Sequence, residues 1–283
     1  MSELVLPESS DIYKAFKGMV ASRKIVLFAG LPGVGKSLYL QQLSLMAHRA
    51  GRPVHLLQWD VTRSAFETEA ILKKYPEVDG VTHAAIRKAV GLWARSGIDI
   101  WFQAHKGSND ILIGEVPLLG NRLIELVQVF DDGIEPVLAG EETLFVLPVP
   151  SKRLRNMIEN TREKTISSPS HERERADAPP NVLKMLWLDL AALAVNLGIS
   201  QEAGSDYQPD VYARVYETLL KNRYSLTLPL DEAYKVSGSV YDLDVVRSEL
   251  LASPVEVETI MQKVETEYSG EGLERAVSSW YRL

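Results

Sequence analysis

The sequence predicts an α/β fold: a parallel sheet of about five strands sandwiched by helices, with a helical insertion, a lid and a C-terminal helical extension. Three observations carry that prediction. Short apolar runs alternate with longer helical patterns, as strand–crossover–strand units do. Residues 30–37, Gly-Leu-Pro-Gly-Val-Gly-Lys-Ser, complete a G-x-x-x-x-G-K-[ST] pattern between a strand pattern and a helix pattern. The chain has 283 residues and is 46% hydrophobic, ample for a core on both faces of such a sheet.

Each element follows from its local pattern. Ser9, Ser10 and Asp11 offer a cap ahead of Ile12, Ala15, Phe16 and Met19, whose spacing is helical. Lys24-Ile-Val-Leu-Phe-Ala reads as a short buried strand leading into the glycine-rich loop. Leu38, Leu40, Leu43, Leu45, Met46 and Ala47 then fit a largely buried helix to about Ala50, ending at Gly51. Val54-His-Leu-Leu-Gln-Trp predicts a second strand closing on Asp60. From about Ala65 to Gly97 the pattern is helical; Ile86, Val90 and Trp93 form one apolar stripe, with Arg87, Lys88 and Arg95 elsewhere on the wheel.

Asp110-Ile-Leu-Ile predicts a third strand ending at Gly114-Glu115, followed by a helix from about 118–121 that carries Leu123, Leu126, Val127 and Phe130. Thr143-Leu-Phe-Val-Leu-Pro-Val is a fourth strand, and 152–166 reads as helix. Residues 167–181 are polar, with Pro169, Pro179, Pro180 and four consecutive charges at 172–175, the composition of a loop or flexible lid. Helices over about 181–198 and 209–223 precede Tyr224-Ser-Leu-Thr-Leu, which alternates like a last core strand. The tail from Pro254 reads as two helices docked by Trp280 and Tyr281. The whole, 1–283, reads as a single domain with a core at 24–150, a basic lid-like segment at 151–180 and a helical remainder at 181–283.

Bulk properties narrow the function. A formal charge of −7 gives no reason to expect a nucleic-acid or anionic-membrane partner. The absence of cysteine excludes disulfides, thiolate catalysis and cysteine-based metal sites. The first eight residues lack a basic start and a long apolar core, so they do not read as a secretory leader. Lys184, Asp189 and Asn196 interrupt the most hydrophobic later stretch, 182–199, so it reads as a buried helix rather than a span. A cytoplasmic protein is expected. The five histidines are scattered without metal-ligand spacing, so no zinc site is expected.

The loop carries the chemistry. Its glycines let successive backbone N–H groups face one point, where nucleotide phosphates can sit at a helix N-terminus. The expected phosphate cradle is Gly30, Leu31, Pro32, Gly33, Val34, Gly35, Lys36, Ser37 and Leu38. Lys36 is expected to reach the β/γ-phosphates and Ser37 to help hold Mg²⁺. Ligands of parallel α/β sheets sit at the carboxyl ends of the strands, where Asp60 and Glu115 fall. Either acid can hold Mg²⁺, directly or through water, or accept a proton from an attacking hydroxyl; either can instead cap a following helix. Asp60, with Arg63 three residues on, is the better candidate base, and Glu115 the better Mg²⁺ partner. Arg122 either contacts substrate or pairs with Glu125 on the surface. Segment 151–180 holds seven Lys/Arg against five acids. Within it Arg155 and Arg162 share a helix face and could close over transferring phosphates, while an Arg155–Glu159 pair is the structural alternative.

Together these residues resemble the small P-loop kinases, and within them the zeta-toxin and chloramphenicol-phosphotransferase-like group. The likeness spans about 24–166: the glycine-rich loop, a strand followed by Asp60-x-x-Arg63, Tyr75-Pro76-Glu77, a helix bearing Trp93, a third strand ending in Glu115, and an arginine-bearing helix after the fourth strand. The resemblance implies that Asp60 is the base for a substrate hydroxyl. It also implies that one or more of Arg153, Arg155 and Arg162 neutralise the transferring phosphoryl group. Residues from 167 onward depart from that pattern. The expected function is ATP- and Mg²⁺-dependent phosphoryl transfer to a small hydroxyl- or phosphate-bearing acceptor. The alternatives are an ATPase switch and a non-catalytic nucleotide-binding module. A GTPase is disfavoured, since no Asp-x-x-Gly or Asn-Lys-x-Asp follows the loop. The one apolar run ending in Asp-Glu, Leu226-Thr-Leu-Pro-Leu-Asp231-Glu232, contains Pro229 and lies far from the loop in sequence.

Overall fold

A computed structural model describes residues 3–78, 80–268 and 270–282. Its centre is an all-parallel sheet of six strands: β1 (Ile25–Ala29), β2 (Val54–Gln58), β3 (Ile111–Val116), β4 (Thr143–Pro150), β5 (Ser225–Leu230) and β6 (Arg247–Glu249). The strand order is β5-β4-β1-β3-β2-β6. β1 is central, and β3 lies beside it with Phe28 opposite Glu115. The near-continuous apolar runs of β1, β3 and β4 follow from burial on both faces. Ile25, Leu27 and Ala29 point into one core and Val26 and Phe28 into the other.

The first core is covered by α5 (Ala84–His105), α8 (Pro180–Asn196), α9 (Pro209–Leu219) and α10 (Pro254–Glu267). The second is covered by α1 (Asp11–Ser22) and α2 (Lys36–Arg49), with Leu154 of α7 (Lys152–Ser167). Shorter helices are α3 (Trp59–Ser64), α4 (Glu69–Lys74), α6 (Glu135–Leu138) and α11 (Glu271–Ser278). Among the described residues no helix is long and apolar enough to cross a membrane.

Most expected elements stand where the patterns put them. The Ser10 hydroxyl caps α1 by accepting from Tyr13 N–H, and the 254–283 tail forms two helices with Trp280 buried. The departures have physical causes. The sheet has a sixth strand, because Arg247-Ser-Glu249 pairs beside β2 on the edge despite carrying no apolar alternation. The helical stretch expected from Ala65 is divided, with α4 ending at Lys74 and α5 starting at Ala84 instead of one run. The helix expected from 118–121 is absent. Leu118, Asn121 and Leu123 all adopt left-handed φ near +60°, which no continuous helix accommodates, and only a 3-10 turn, Ile124–Leu126, follows. Arg122 therefore sits in a tight turn rather than at a helix start. Lys88 and Arg95 leave the apolar stripe but not the interior; both are buried, paired with Glu125 and with Asp132 and Glu135. Glu125 is likewise fully buried, so it is no surface partner for Arg122.

Candidate functional site

The 30–37 loop leaves the C-terminal end of β1, where Gly30 N–H donates to the Val116 carbonyl of β3, and turns directly into α2. Gly33 and Gly35 take left-handed φ of 76° and 92°, the conformation an L side chain resists and a curled loop requires. Gly35 is the N-cap of α2 and has no side-chain cap, so the first N–H groups of a 14-residue helix face out of the loop. Any side chain on Gly30 would collide with the Tyr212 hydroxyl from α9.

Lys36 is the first residue of α2 and is almost wholly buried. Its ammonium lies 2.8 Å from the Leu31 carbonyl and 3.5 Å from Glu115 Oε1. Burial lowers its pKa, and the Glu115 carboxylate offsets that only in part. The Ser37 hydroxyl donates to Glu115 Oε2 at 3.1 Å. Glu115 caps nothing: it lies inside β3, and the strand order carries it beside the loop. The two residues expected to serve one Mg²⁺ therefore share a contact. Asp231 and Glu232 follow edge strand β5, two strands from β1, remote from this cluster in the sheet.

β2 ends at Gln58, so Asp60 falls in the first turn of α3 rather than at the strand end. Gln58 holds the N-cap position, and Asp60 stands within electrostatic reach of Lys36, Glu115 and Asp177. Its side chain is 80% open to water. Desolvation by nearby protein raises its carboxyl pKa and Arg63 at 3.6 Å pulls it back, and solvent access tempers both effects.

Beside Asp60 lies a group of arginines. Arg63 donates to Glu67 at 2.6 Å and to Thr82 at 3.2 Å, and its Nε has no partner. Arg87, in the first turn of α5, donates to the Gly120 carbonyl and likewise leaves Nε without a partner. Arg122 donates to the Leu119 carbonyl at 3.2 Å. Among the described residues neither Arg87 nor Arg122 forms an ion pair. Burial, reinforced by the neighbouring Arg122 charge, lowers Arg87 to about 10. Arg122 is lowered by burial and then by Arg63, against the pull of Asp60 and Asp189. Asn121, between Gly120 and Arg122, is fully buried with both side-chain amide atoms unpartnered. Arg122 and Asp189 also line a cleft of about 240 Å³ together with Trp280 and Tyr281.

The basic segment lies against the site. Arg155 is buried, donating to Glu159 at 2.6 Å and to the Pro32 carbonyl at 2.7 Å, with its guanidinium over the Tyr207 ring. It thus forms the expected helix pair and also grips the loop. Arg162 pairs with Asp177 at 3.1 Å and stands within electrostatic reach of Lys36. Arg153, by contrast, donates to the Asp231 carbonyl on the exposed side. Residues 172–176, expected as loop, form a 3-10 turn with His171 at its cap. This turn is tied down: Arg173 donates to Gln58 at the end of β2, the Ser239 hydroxyl to Glu174, and the Tyr241 hydroxyl to Asp177 at 2.6 Å. Burial raises the Asp177 carboxyl, while Arg162 and Tyr241 hold it down.

Sequence reasoning missed Arg87, Asn121, Asp177 and Tyr241. Arg87 carried a faint signal, a cation just off the apolar stripe of α5. Asn121 and Asp177 carried none, because their neighbours come from distant segments. No protein-family model and no curated protein matches this chain.

Proposed function

We propose that the protein is an ATP-dependent phosphotransferase acting on a small acceptor that carries a hydroxyl or phosphate oxygen and an anionic group. The observation that carries this reading is the meeting of Glu115 with Ser37 and Lys36 at the head of α2. Asp60 and an arginine group without full carboxylate pairing stand beside them.

The residues fit Mg²⁺ and ATP. Outward-facing N–H groups at a helix start favour phosphate, and Lys36 adds a buried positive charge for the β- and γ-phosphates. Ser37 Oγ and Glu115 Oε2 form the hard-oxygen donor pair that Mg²⁺ favours. Ser37 and Glu115 would hold Mg²⁺ there, and it would supply charge neutralisation at the β- and γ-phosphates. Asp60 takes the proton of the acceptor hydroxyl as that oxygen bonds to phosphorus and the bond to the ADP oxygen breaks. Lys36 and Arg162 offset charge on the equatorial phosphoryl oxygens. Arg155, engaged with Pro32 and Glu159, acts by holding the loop in shape.

The arginine group sets the acceptor class. Arg87 and Arg122 are half-buried with carbonyls as their hydrogen-bond partners, and Arg63 keeps a free Nε beside its Glu67 pair; such guanidinium forks match carboxylate or phosphate. Arg63, Arg87 and Arg122 therefore bind the acceptor's anionic group, and Asn121 supplies amide hydrogen bonds near it. ATP dependence fits a cytoplasmic setting.

A second reading, an acceptor-free ATPase, draws on Glu115 itself, since an acid beside the phosphate site can also orient water. Titration with Mg²⁺–ATP followed by turnover assays tests both. Saturable binding lost in Lys36→Ala, with turnover that requires an added anionic hydroxyl compound, supports the kinase. Turnover independent of acceptor supports the ATPase, and binding that survives Lys36→Ala contradicts both.

A further inference from the structure

A second cluster of chemistry-bearing side chains lies at the opposite end of the sheet from the 30–37 loop. His55 is the second residue of β2, His105 the last residue of α5, and Asp110 the residue just before β3. Their spacing in sequence carries no metal pattern, which is why no zinc site was expected. In the fold, one ligand atom from each lies within 4.8 Å of the other two. His55 Nε2 is 2.7 Å and His105 Nε2 3.9 Å from the same oxygen, Asp110 Oδ1.

Hydrogen bonding orients the rings. His105 Nδ1 is 2.7 Å from the Trp101 carbonyl. A carbonyl only accepts, so Nδ1 carries the proton and the lone pair of Nε2 faces Asp110. A backbone acceptor behind the ring is the outer-sphere arrangement that fixes a metal-binding histidine. Trp101 stacks on His105 and meets His55 edge-on, giving the group a rigid apolar wall. His55 donates Nε2–H to Asp110 in the metal-free state; ligation needs its other tautomer, with the proton on Nδ1.

We propose that His55, His105 and Asp110 bind one divalent transition-metal ion of the Zn²⁺/Co²⁺/Ni²⁺ class, with water completing its coordination. Two imidazoles and one carboxylate suit these ions rather than Mg²⁺ or Ca²⁺, which prefer oxygen-only shells. The ion joins the C-terminus of α5 to the starts of β2 and β3, far from the proposed phosphoryl-transfer site, so its role is structural. Two cations bear on Asp110. Lys24 is held by the Ser108 carbonyl and the Trp101 face, and Arg52 by the carbonyls of Val20, Arg23, Asn109 and Asp110. They weaken the site without occupying the carboxylate.

The test uses chelator-stripped, tag-free, nucleotide-free protein titrated with Co²⁺ by absorption and with Zn²⁺ by calorimetry. One saturable equivalent is expected, with Zn²⁺ displacing Co²⁺, a 100-fold excess of Mg²⁺ failing to do so, and a raised melting temperature. His105→Ala and Asp110→Asn each weaken binding at least tenfold, whereas His48→Ala leaves it unchanged. On the unmutated protein, Co²⁺ broadens the His55 and His105 imidazole resonances before those of His48, His83 or His171. The proposal is overturned by the absence of a saturable equivalent, by binding that survives both variants, or by broadening that starts at another histidine.

Discussion

Two groups of arginines in this fold, one buried and one half-buried, follow opposite rules. Arg95 and Arg223 sit under α6 with nearly every guanidinium proton engaged. Arg95 donates to both oxygens of Asp132, to Glu135 and to the Glu125 and Gln128 carbonyls, and Arg223 to Glu135 and the Leu126 and Gln128 carbonyls. Arg87 and Arg122, by contrast, donate to backbone carbonyls and form no ion pair among the described residues, while Arg63 keeps Glu67 and Thr82; Arg63 and Arg87 each leave Nε without a partner. A closed network of this kind orders the structure; an open one is complete only with an external anion. The open group lies beside Asp60 at the carboxyl ends of the strands, where an α/β sheet binds its ligands.

The contrast can be broken from either side. The largest effect is expected at the proposed base: Asp60→Asn lowers kcat by about 10²–10⁴-fold in acceptor-dependent turnover while leaving Mg²⁺–ATP affinity near that of the parent. Near-normal turnover in that variant removes Asp60 from the chemistry. Arg95→Ala strands Asp132 and leaves Glu135 to Arg223 alone, and denaturant unfolding should register a loss of about 3–5 kcal/mol. Arg122→Met should behave differently. It removes an incompletely paired cation, so the unfolding midpoint holds or rises, while KM for an anionic acceptor increases roughly ten- to hundredfold. A large stability loss in Arg122→Met would make the two groups alike and undo the distinction.

The smallest effect is a pH dependence. The Arg95 hydrogen bond, with its charge, holds the Asp132 carboxyl below the ordinary aspartate value, against partial burial. A depressed folded-state pKa stabilises the protein above the ordinary value near 3.9 and is lost as pH falls toward the folded value. Unfolding midpoints measured from pH 6 to 3 should therefore fall less steeply in Asp132→Asn than in the parent; equal slopes would take Asp132 out of the network.

What was legible in the sequence divides along the same line. The curled shape of the 30–37 loop could be read because its glycine spacing encodes backbone geometry within eight residues. The strands β1 to β5 carried their own apolar runs. Edge strand β6 became a strand only through its pairing with β2, a tertiary event with no local trace. The stretch 118–130 is rich enough in leucine and valine to imitate a helix, and three left-handed residues prevent one. Lys88 and Arg95 read as off the buried stripe, because partners that make their burial tolerable lie 30 to 40 residues away. Separation in sequence likewise hid the grouping of Arg87 with Arg63 and Arg122, and that of His55 with His105 and Asp110.

Phosphoryl transfer to an anionic acceptor is tested most directly by following ATP with ³¹P NMR, with and without a panel of small hydroxyl compounds bearing carboxylate or phosphate. The account predicts ADP formation that depends on an acceptor, with a new phosphoester resonance appearing in step with ADP. ADP and inorganic phosphate formed at the same rate without any acceptor, or no ATP consumption with any member of the panel, would contradict it.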